Sequence, residues 1–130
     1  MSFTYVQRTG SLYGPDGALL ARGYSGHGPG LNAPGMQNVH ATGPIPVGRY
    51  LIRDPQDPVG HLGPIAMPLE PELANEMHGR SGFYIHGDNA AANHTASDGC
   101  LIFPRVIRQD IRDSPEDQLV VVAEEKDVKG

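Results

Sequence analysis

The sequence has little of three things that define common protein classes: cysteine, basic residues and long apolar runs. Its single cysteine, Cys100, excludes an internal disulfide. The 10 Lys and Arg residues are outnumbered by 15 Asp and Glu residues and are not clustered, so a nucleic-acid-binding face is not expected. No apolar stretch reaches the roughly 20 residues that a membrane-spanning helix needs. We therefore expect neither a nucleic-acid partner nor a membrane span.

The N-terminal segment also lacks the features of a secretory signal. Met1–Arg8 contains neither a basic segment nor an apolar segment of the kind that such signals carry. We expect the protein to be made in the cytoplasm without a cleaved signal. If it acts elsewhere, another machine must export it.

The chain length and the distribution of glycine and proline indicate a loop-rich folded domain. A length of 130 residues fits one domain, residues 1–130, around one core. The 17 glycines and 12 prolines follow no period, and they alternate with apolar runs such as Gly82–Ile85 and Leu119–Ala123. This alternation favours a strand-dominated fold over a disordered chain.

Local patterns predict a mainly β domain with one or two short helices. Alternation of apolar and polar residues predicts a first strand at Phe3–Arg8, and Tyr13–Gly17 has the residues of a tight turn before a returning strand at Ala18–Tyr24. Proline placement and apolar spacing predict helices at Pro71–Met77 and Pro104–Arg112. Ser25–Pro46 is expected to be a loop that borders a functional site. Further strands are expected at Val47–Arg53, Ile65–Leu69, Ser81–His86 and Gln118–Ala123.

The surroundings of Cys100 are typical of a nucleophile rather than of a buried structural thiol. Cys100 follows Gly99 and a loop of small residues and precedes an apolar run, which predicts that the thiol is presented on a bend. Gly99 allows a substrate to approach the backbone and adopts dihedral angles that other residues avoid. Backbone N–H groups at such a bend can stabilise a developing oxyanion by roughly 3–4 kcal/mol each.

A cysteine nucleophile needs a base, and His86 is the best candidate. A free thiol has a pKa of about 8.5 and is mostly protonated at neutral pH. His86 ends an apolar strand that can hold its ring, and Gly87 leaves space beside it. The 13 residues between His86 and Cys100 can return the chain so that imidazole and sulfur meet. The pair predicts acyl-transfer chemistry.

These residues resemble the L,D-transpeptidases, which cross-link or edit bacterial peptidoglycan. The family pattern of a strand-end histidine, a loop and Ser/Thr-His-Gly-Cys is matched by Ile85–Gly87 and Ser97–Leu101. A Pro-x-Pro-x-Gly segment of the family is matched within Gly43–Ile52. One departure is Asp98, which stands where a second histidine often lies; an acidic residue there disfavours the thiolate and makes His86 more necessary.

The resemblance is greater still to the compact L,D-transpeptidase-like effector toxins of the type VI secretion system. Five separated segments match this branch in order: Thr4–Tyr5, Gly10–Tyr13, Tyr24–Gly28, Gly79–Gly87 and Ala96–Arg105. The resemblance implies a small β-sandwich or partly closed barrel, action in the periplasm of a target bacterium, a cognate immunity protein as partner, and no cofactor or metal.

The resemblance also implies roles for individual residues. Cys100 would attack the carbonyl of a diaminopimelate residue in a peptidoglycan stem peptide, and His86 would protonate the departing D-amino acid. The carbonyl of Gly87 would orient the imidazole, the amides of Gly99 and Cys100 would form an oxyanion hole, and Ser97 would orient the loop or the ring. His94 is a further candidate base. Substrate contacts are expected from Tyr84, Arg80, Arg105 and Asp98.

Two other classes of function stay open from the sequence. A metal site could use His78, His86, His94 and Asp88, although histidines eight residues apart do not match zinc motifs. A non-catalytic module that binds peptidoglycan would contain Cys100 only incidentally. Within the enzyme class, hydrolysis by an L,D-carboxypeptidase and exchange of a D-amino acid require the same catalytic residues.

Overall fold

A computed structural model describes residues 2–55, 65–88 and 97–128. Most of the predicted loop at Asp54–Pro64 and most of the loop between His86 and Cys100, including His94, lie outside these residues.

Within these described residues, eight strands form one sheet. Its strand order is β3-β2-β1-β8-β4-β5-β6-β7. The pairs β1–β8 and β6–β7 are parallel, and the other neighbouring strands are antiparallel. The bounds are β1 Phe3–Val6, β2 Ser11–Tyr13, β3 Leu19–Arg22, β4 Gly48–Ile52, β5 Met67–Pro71, β6 Tyr84–His86, β7 Leu101–Ile102 and β8 Gln118–Val122.

The two ends of this strand order meet, so the sheet is curled. Tyr24, just after β3, donates its N–H to the Ile102 carbonyl at 3.3 Å, and the Ile102 N–H returns a bond to the Tyr24 carbonyl at 2.9 Å. Because β3 and β7 are the first and last strands in the order, this bridge closes the sheet towards a half-barrel. Of the two expected architectures, the partly closed barrel is therefore the one observed.

The concave side of the sheet encloses the core. Alternate residues of the strands point inward, and each apolar side chain buried there contributes roughly 1.5–3 kcal/mol. Helix α1, Arg105–Asp113, adds Ile111 to the same core. The core side chains from the strands include Phe3, Tyr5, Leu12, Tyr50, Ile52, Met67, Leu69, Ile85, Leu101, Leu119 and Val121.

Most predicted elements are confirmed, and the prediction of a helix at Pro71–Met77 is wrong. Strand β5 continues through Pro71, and a turn follows in which the Asn75 N–H bonds the Glu72 carbonyl at 3.0 Å. The Asn75 side chain bonds both the N–H and the carbonyl of Arg49 in β4, at 3.0 and 2.8 Å. These bonds tie the segment to β4 in a turn conformation instead of a helix.

The strand predicted at Ser81–His86 is shorter than expected. β6 begins only at Tyr84, because Gly79 and Gly82 have φ values of 72° and 78°, which a regular strand does not contain. The helix predicted at Pro104–Arg112 is confirmed as α1, and its first turn follows Pro104. None of the helices in the described ranges is long and apolar enough to cross a membrane.

Candidate active site

The parallel pair β6–β7 brings His86 and Cys100 to one region of the sheet. His86 lies opposite Ile102, and Ile85 lies opposite Leu101. Cys100 immediately precedes β7 and therefore lies opposite Tyr84. Residues two apart on a strand share a face, so His86 and Cys100 are diagonal neighbours on the face opposite the core, roughly 8 Å apart between α-carbons from strand spacing and rise.

The Cys100 sulfur is partly exposed and receives a backbone hydrogen bond. The Tyr84 N–H donates to Sγ at 3.3 Å, and Sγ lies 4.0 Å from the Gly82 carbonyl. Burial raises the pKa of the thiol to about 11; the Tyr84 N–H opposes this rise, Asp98 adds to it and Arg80 opposes it. The resting thiol is therefore protonated at neutral pH and needs a base to become a nucleophile.

The His86 ring is buried and oriented by its own chain. Its exposed fraction is 4%, and Nδ1 lies 2.8 Å from the Gly87 carbonyl. A carbonyl only accepts hydrogen bonds, so this contact requires the proton on Nδ1. The other nitrogen, Nε2, then carries the lone pair that a general base uses.

Ser97 holds the segment that presents the thiol. Its hydroxyl donates to the Cys100 carbonyl at 2.6 Å and accepts from the N–H groups of Gly26 and Gly99 at 2.9 and 3.0 Å. Ser97 is completely buried. Of the two roles predicted for it, orienting the loop is the one that matches its contacts.

Gly99 has a conformation and surroundings that exclude a side chain. Its φ is 134°, and a Cβ atom would lie 2.5 Å from both the Phe83 ring and the Arg80 guanidinium. Its predicted role as an oxyanion donor does not fit, because its N–H is bound to Ser97. Within the described part of the chain no residue accepts a hydrogen bond from the Cys100 N–H, so that amide is the better candidate donor.

The Arg80 guanidinium is engaged by contacts inside the protein, although the residue also lines the pocket that contains Asp98. The side chain is 6% exposed, and four of its N–H donors bind the carbonyls of Gln37, Gly43, Pro44 and Asp98 at 2.7–3.0 Å. The guanidinium also lies 5.1 Å from the centre of the Phe83 ring. Arg80 thus fastens the 37–44 loop to the segment before Cys100, and its charge is used inside the protein.

The other residues predicted to contact substrate lie at or near the surface. Asp98 is exposed, 3.6 Å from His27, and it lines a pocket of about 290 Å³ together with Ser81 and Phe83. The Tyr84 side chain is half-buried. Arg105 is exposed at the start of α1. Substrate contacts by these three residues stay predictions.

Sequence reasoning missed the residues that support Gly87 and the Cys100 segment. The Arg108 guanidinium lies over Gly87, where a Cβ atom would come within 2.7 Å of it. The Ser25 hydroxyl donates to the Gly99 carbonyl at 2.7 Å and accepts from the Ile45 N–H at 2.8 Å. Tyr24 and Ser25 lie in Tyr24–Gly28, one of the segments that match the family, so the sequence could have indicated their importance. Nothing in the sequence distinguishes Arg108 from the other arginines of α1.

Comparison with known proteins identifies the family to which this chain belongs. The family model for the Tlde1 domain matches residues 20–123, which is most of the chain. The chain belongs to the Tlde1 domain family. This is the L,D-transpeptidase effector family of type VI secretion, so the resemblance drawn from the sequence is confirmed.

The fold of this Tlde1 domain has a counterpart among solved structures. The structure of the Ldtfm–avibactam carbamoyl enzyme, an L,D-transpeptidase, superimposes with a TM-score of 0.58 at 12% identity, over 95% of this chain and 49% of that one. The Tlde1 domain therefore spans about half the length of that protein, and at this identity the likeness establishes the fold. No curated protein matches the chain.

The metal alternative gains no support from the described residues of the Tlde1 domain. Within residues 2–55, 65–88 and 97–128, no three His, Cys, Asp or Glu side chains are grouped so that they could hold an ion. The His78 carbonyl accepts a bond from His40 at 2.9 Å, in a turn where His78 has a φ of 55°. His94, which also belongs to that alternative, lies outside the described residues.

Replacing Arg80 with lysine tests whether this side chain is structural. A lysine cannot serve four carbonyls with one ammonium, so Arg80→Lys should lower the free energy of unfolding by about 2–4 kcal/mol, measured by urea denaturation. Arg53→Lys, at an exposed arginine paired with Glu70, is the matched control and should change it little. An Arg80→Lys protein as stable as the original but with a higher KM would instead indicate a substrate contact.

The pH dependence of alkylation tests the protonation state of the thiol. All labelling reports on Cys100, because it is the chain's single cysteine. Since burial raises the pKa of the thiol to about 11, the rate of reaction with iodoacetamide should rise continuously from pH 6 to pH 10. A plateau already reached at neutral pH would mean a resting thiolate–imidazolium pair and would contradict this account.

Proposed function

We propose that the chain is a cysteine-dependent enzyme that acts on the tetrapeptide stems of peptidoglycan, as an L,D-carboxypeptidase, as an exchanger of the terminal D-amino acid, or as both. The observation that carries the proposal is the Cys100 thiol held by the Tyr84 N–H at 3.3 Å, with His86 two positions along the neighbouring strand. Membership of the Tlde1 domain family supports the same chemistry.

In the first half of the reaction, Cys100 forms an acyl-enzyme. His86 takes the thiol proton on Nε2 as Sγ attacks the carbonyl that joins diaminopimelate to the terminal D-alanine. The Cys100 N–H is placed to stabilise the oxyanion of the tetrahedral intermediate. When the intermediate collapses, the C–N bond breaks and His86 returns the proton to the departing amine.

In the second half, an acceptor releases the stem from the enzyme. Water or the amine of a D-amino acid attacks the thioester carbonyl, and His86 removes its proton. The S–C bond breaks, the thiolate regains the proton, and the product is a tripeptide stem or a stem with a new terminal D-amino acid. The hydrogen bond from Nδ1 to the Gly87 carbonyl keeps the imidazole in the tautomer that both halves need.

The biological role we propose is that of an antibacterial effector. Family membership supports export by type VI secretion and action in the periplasm of a target bacterium. There, removal or exchange of terminal D-alanine would deprive the wall of donors for normal cross-linking. A producing cell would need an immunity protein that prevents access of the stem peptide to Cys100.

The direct test is to incubate the protein with purified muropeptides and identify the products by mass spectrometry. We expect loss of D-alanine from tetrapeptides, or its replacement when a second D-amino acid is supplied. Cys100→Ala should abolish turnover, and His86→Gln should reduce it by about 10²–10⁴-fold because the base is lost. His78→Gln, at a histidine outside the site, should retain activity within about twofold.

Two results would reject the proposal. Binding of muropeptides without turnover, unaffected by Cys100→Ala, would identify a non-catalytic binding module. Full activity of the His86→Gln variant would show that His86 is not the general base.

The effector role is tested by directing the same variants to the periplasm of a sensitive host. Toxicity should require Cys100. Equal growth of hosts with the original protein and with the Cys100→Ala form would exclude the effector role.

A further inference from the structure

The backbone on either side of the Cys100 amide is held by side chains. The Asp98 carbonyl accepts a hydrogen bond from Arg80 at 2.9 Å. The Ser97 hydroxyl accepts from the Gly99 N–H at 3.0 Å and donates to the Cys100 carbonyl at 2.6 Å. Among the described residues none accepts from the Cys100 N–H, and Cys100 itself is partly exposed. This amide therefore stays available for a ligand, and its direction depends on the peptide group to which it belongs.

Ser25 holds the other end of that peptide group, the Gly99 carbonyl. Its hydroxyl donates to this carbonyl at 2.7 Å and accepts from the Ile45 N–H at 2.8 Å. Because a carbonyl only accepts and an N–H only donates, the single hydroxyl proton must point at Gly99. Ser25 is completely buried, so water does not compete for this bond.

Ser25 is fixed in turn by its own backbone. Its N–H donates to the Asn32 side chain at 3.1 Å, and its carbonyl accepts from the Asn32 N–H at 3.0 Å. The preceding residue, Tyr24, forms the bridge to Ile102 in β7. The hydroxyl is therefore anchored both to the loop that follows it and to the strand that begins directly after Cys100.

The planarity of the peptide group links the Ser25 bond to the Cys100 amide. In a trans peptide the carbonyl and the N–H lie in one plane and point in opposite directions. A hydroxyl that binds the Gly99 carbonyl therefore sets the direction of the Cys100 N–H across the same C–N bond. Gly99 has no side chain to restrict rotation of this plane, and its φ is 134°. The direction of the amide thus depends on the hydrogen bond from Ser25.

We propose that Ser25 is a positioning residue for acyl transfer: by binding the Gly99 carbonyl, it aims the Cys100 N–H at the oxyanion that forms on the attacked carbonyl. The inference rests on the proposed function, because it concerns the tetrahedral intermediate of the same reaction. As the Sγ–C bond forms, the π electrons of the carbonyl move to its oxygen, which accepts a hydrogen bond from the Cys100 N–H. Ser25 acts through the peptide group and neither gains nor loses a proton.

The test compares two reactions of Cys100 in the Ser25→Ala variant. Acyl transfer from a stem peptide forms an oxyanion, whereas alkylation by iodoacetamide displaces iodide and forms none. A misdirected oxyanion donor should lower kcat/KM for stems by about 10–100-fold. The rate of alkylation at the same pH should stay within about threefold. No loss of stem turnover, or an equal loss in both reactions, would overturn the proposal.

Ser11→Ala is the matched control for a buried serine that is not near the thiol. Ser11 is also completely buried, and its hydroxyl donates to Glu125 at 2.9 Å. This variant should be destabilised in a similar way, because a buried hydrogen-bond partner is lost. Its rates for both reactions, measured well below its Tm, should stay within about twofold of those of the original protein.

Asn32→Gly tests the same proposal if Ser25→Ala does not fold. It removes the acceptor of the Ser25 N–H at a residue whose φ of 51° suits glycine. Because the Ser25 hydroxyl is then held less firmly, stem turnover should fall at least threefold while alkylation stays within about twofold. Stem turnover equal to that of the original protein, or a matching fall in alkylation, would contradict the role of Ser25.

An activated ester separates this inference from the proposed function. Acylation of Cys100 by p-nitrophenyl acetate forms an oxyanion without any peptidoglycan, and Ser25→Ala should slow the release of nitrophenolate at least fivefold. If the original protein turns over no stem but this difference holds, the proposed function is rejected and the role of Ser25 stands. If stems are turned over and neither substrate responds to Ser25→Ala, only the role of Ser25 is rejected.

Discussion

The parallel pairing of β6 with β7 places Cys100 opposite Tyr84, and the Tyr84 N–H, which in a regular parallel ladder would bond a carbonyl, donates to the thiol sulfur instead. The Gly99 carbonyl is turned away to Ser25. The same register puts His86 on the sulfur's face of the sheet. A shift by one residue would move His86 to the core face. The register of two short strands therefore decides whether thiol and imidazole can meet.

β6 and β7 have only three and two residues and do not fix their own register. Contacts with the surrounding residues fix it. Arg80 binds four carbonyls, one of them just before Gly99. Ser97 joins Gly26, Gly99 and Cys100 through one hydroxyl. The bridge between Tyr24 and Ile102 adds a strand-like partner on the other side of β7. Burial of these polar groups is tolerated because their donors and acceptors are paired.

The burial that fixes the position of the Cys100 thiol also makes its ionised form unfavourable. With a pKa of about 11, forming the thiolate in the free protein at pH 7 costs roughly 5 kcal/mol. Proton transfer to a neighbouring base as the bond to carbon forms avoids this unpaired charge. These surroundings of Cys100 support the proposal that His86 acts as its base.

The sequence allowed prediction of those features that depend on local patterns. The N-terminal hairpin, helix α1 and the family were all inferred from short motifs and are confirmed, whereas the catalytic roles of Cys100 and His86 stay predictions. Contacts between distant segments could not be inferred in this way. Arg80 was predicted to bind substrate because nothing in its neighbours reveals the four carbonyls supplied by residues 37–44 and 98. The prediction of a helix at Pro71–Met77 was wrong because the Asn75 side chain bonds the backbone of Arg49 in β4, 26 residues earlier in the chain.

The proposed role of Cys100 as nucleophile can be tested by trapping the covalent intermediate. A tetrapeptide stem is mixed with the protein, the reaction is stopped with acid, and the intact protein and its peptides are weighed. We expect an adduct on Cys100 with the mass of the stem acyl group without D-alanine, and we expect it to form only slowly in the His86→Gln variant. Product formation with no adduct, or an adduct on another residue, would contradict this role.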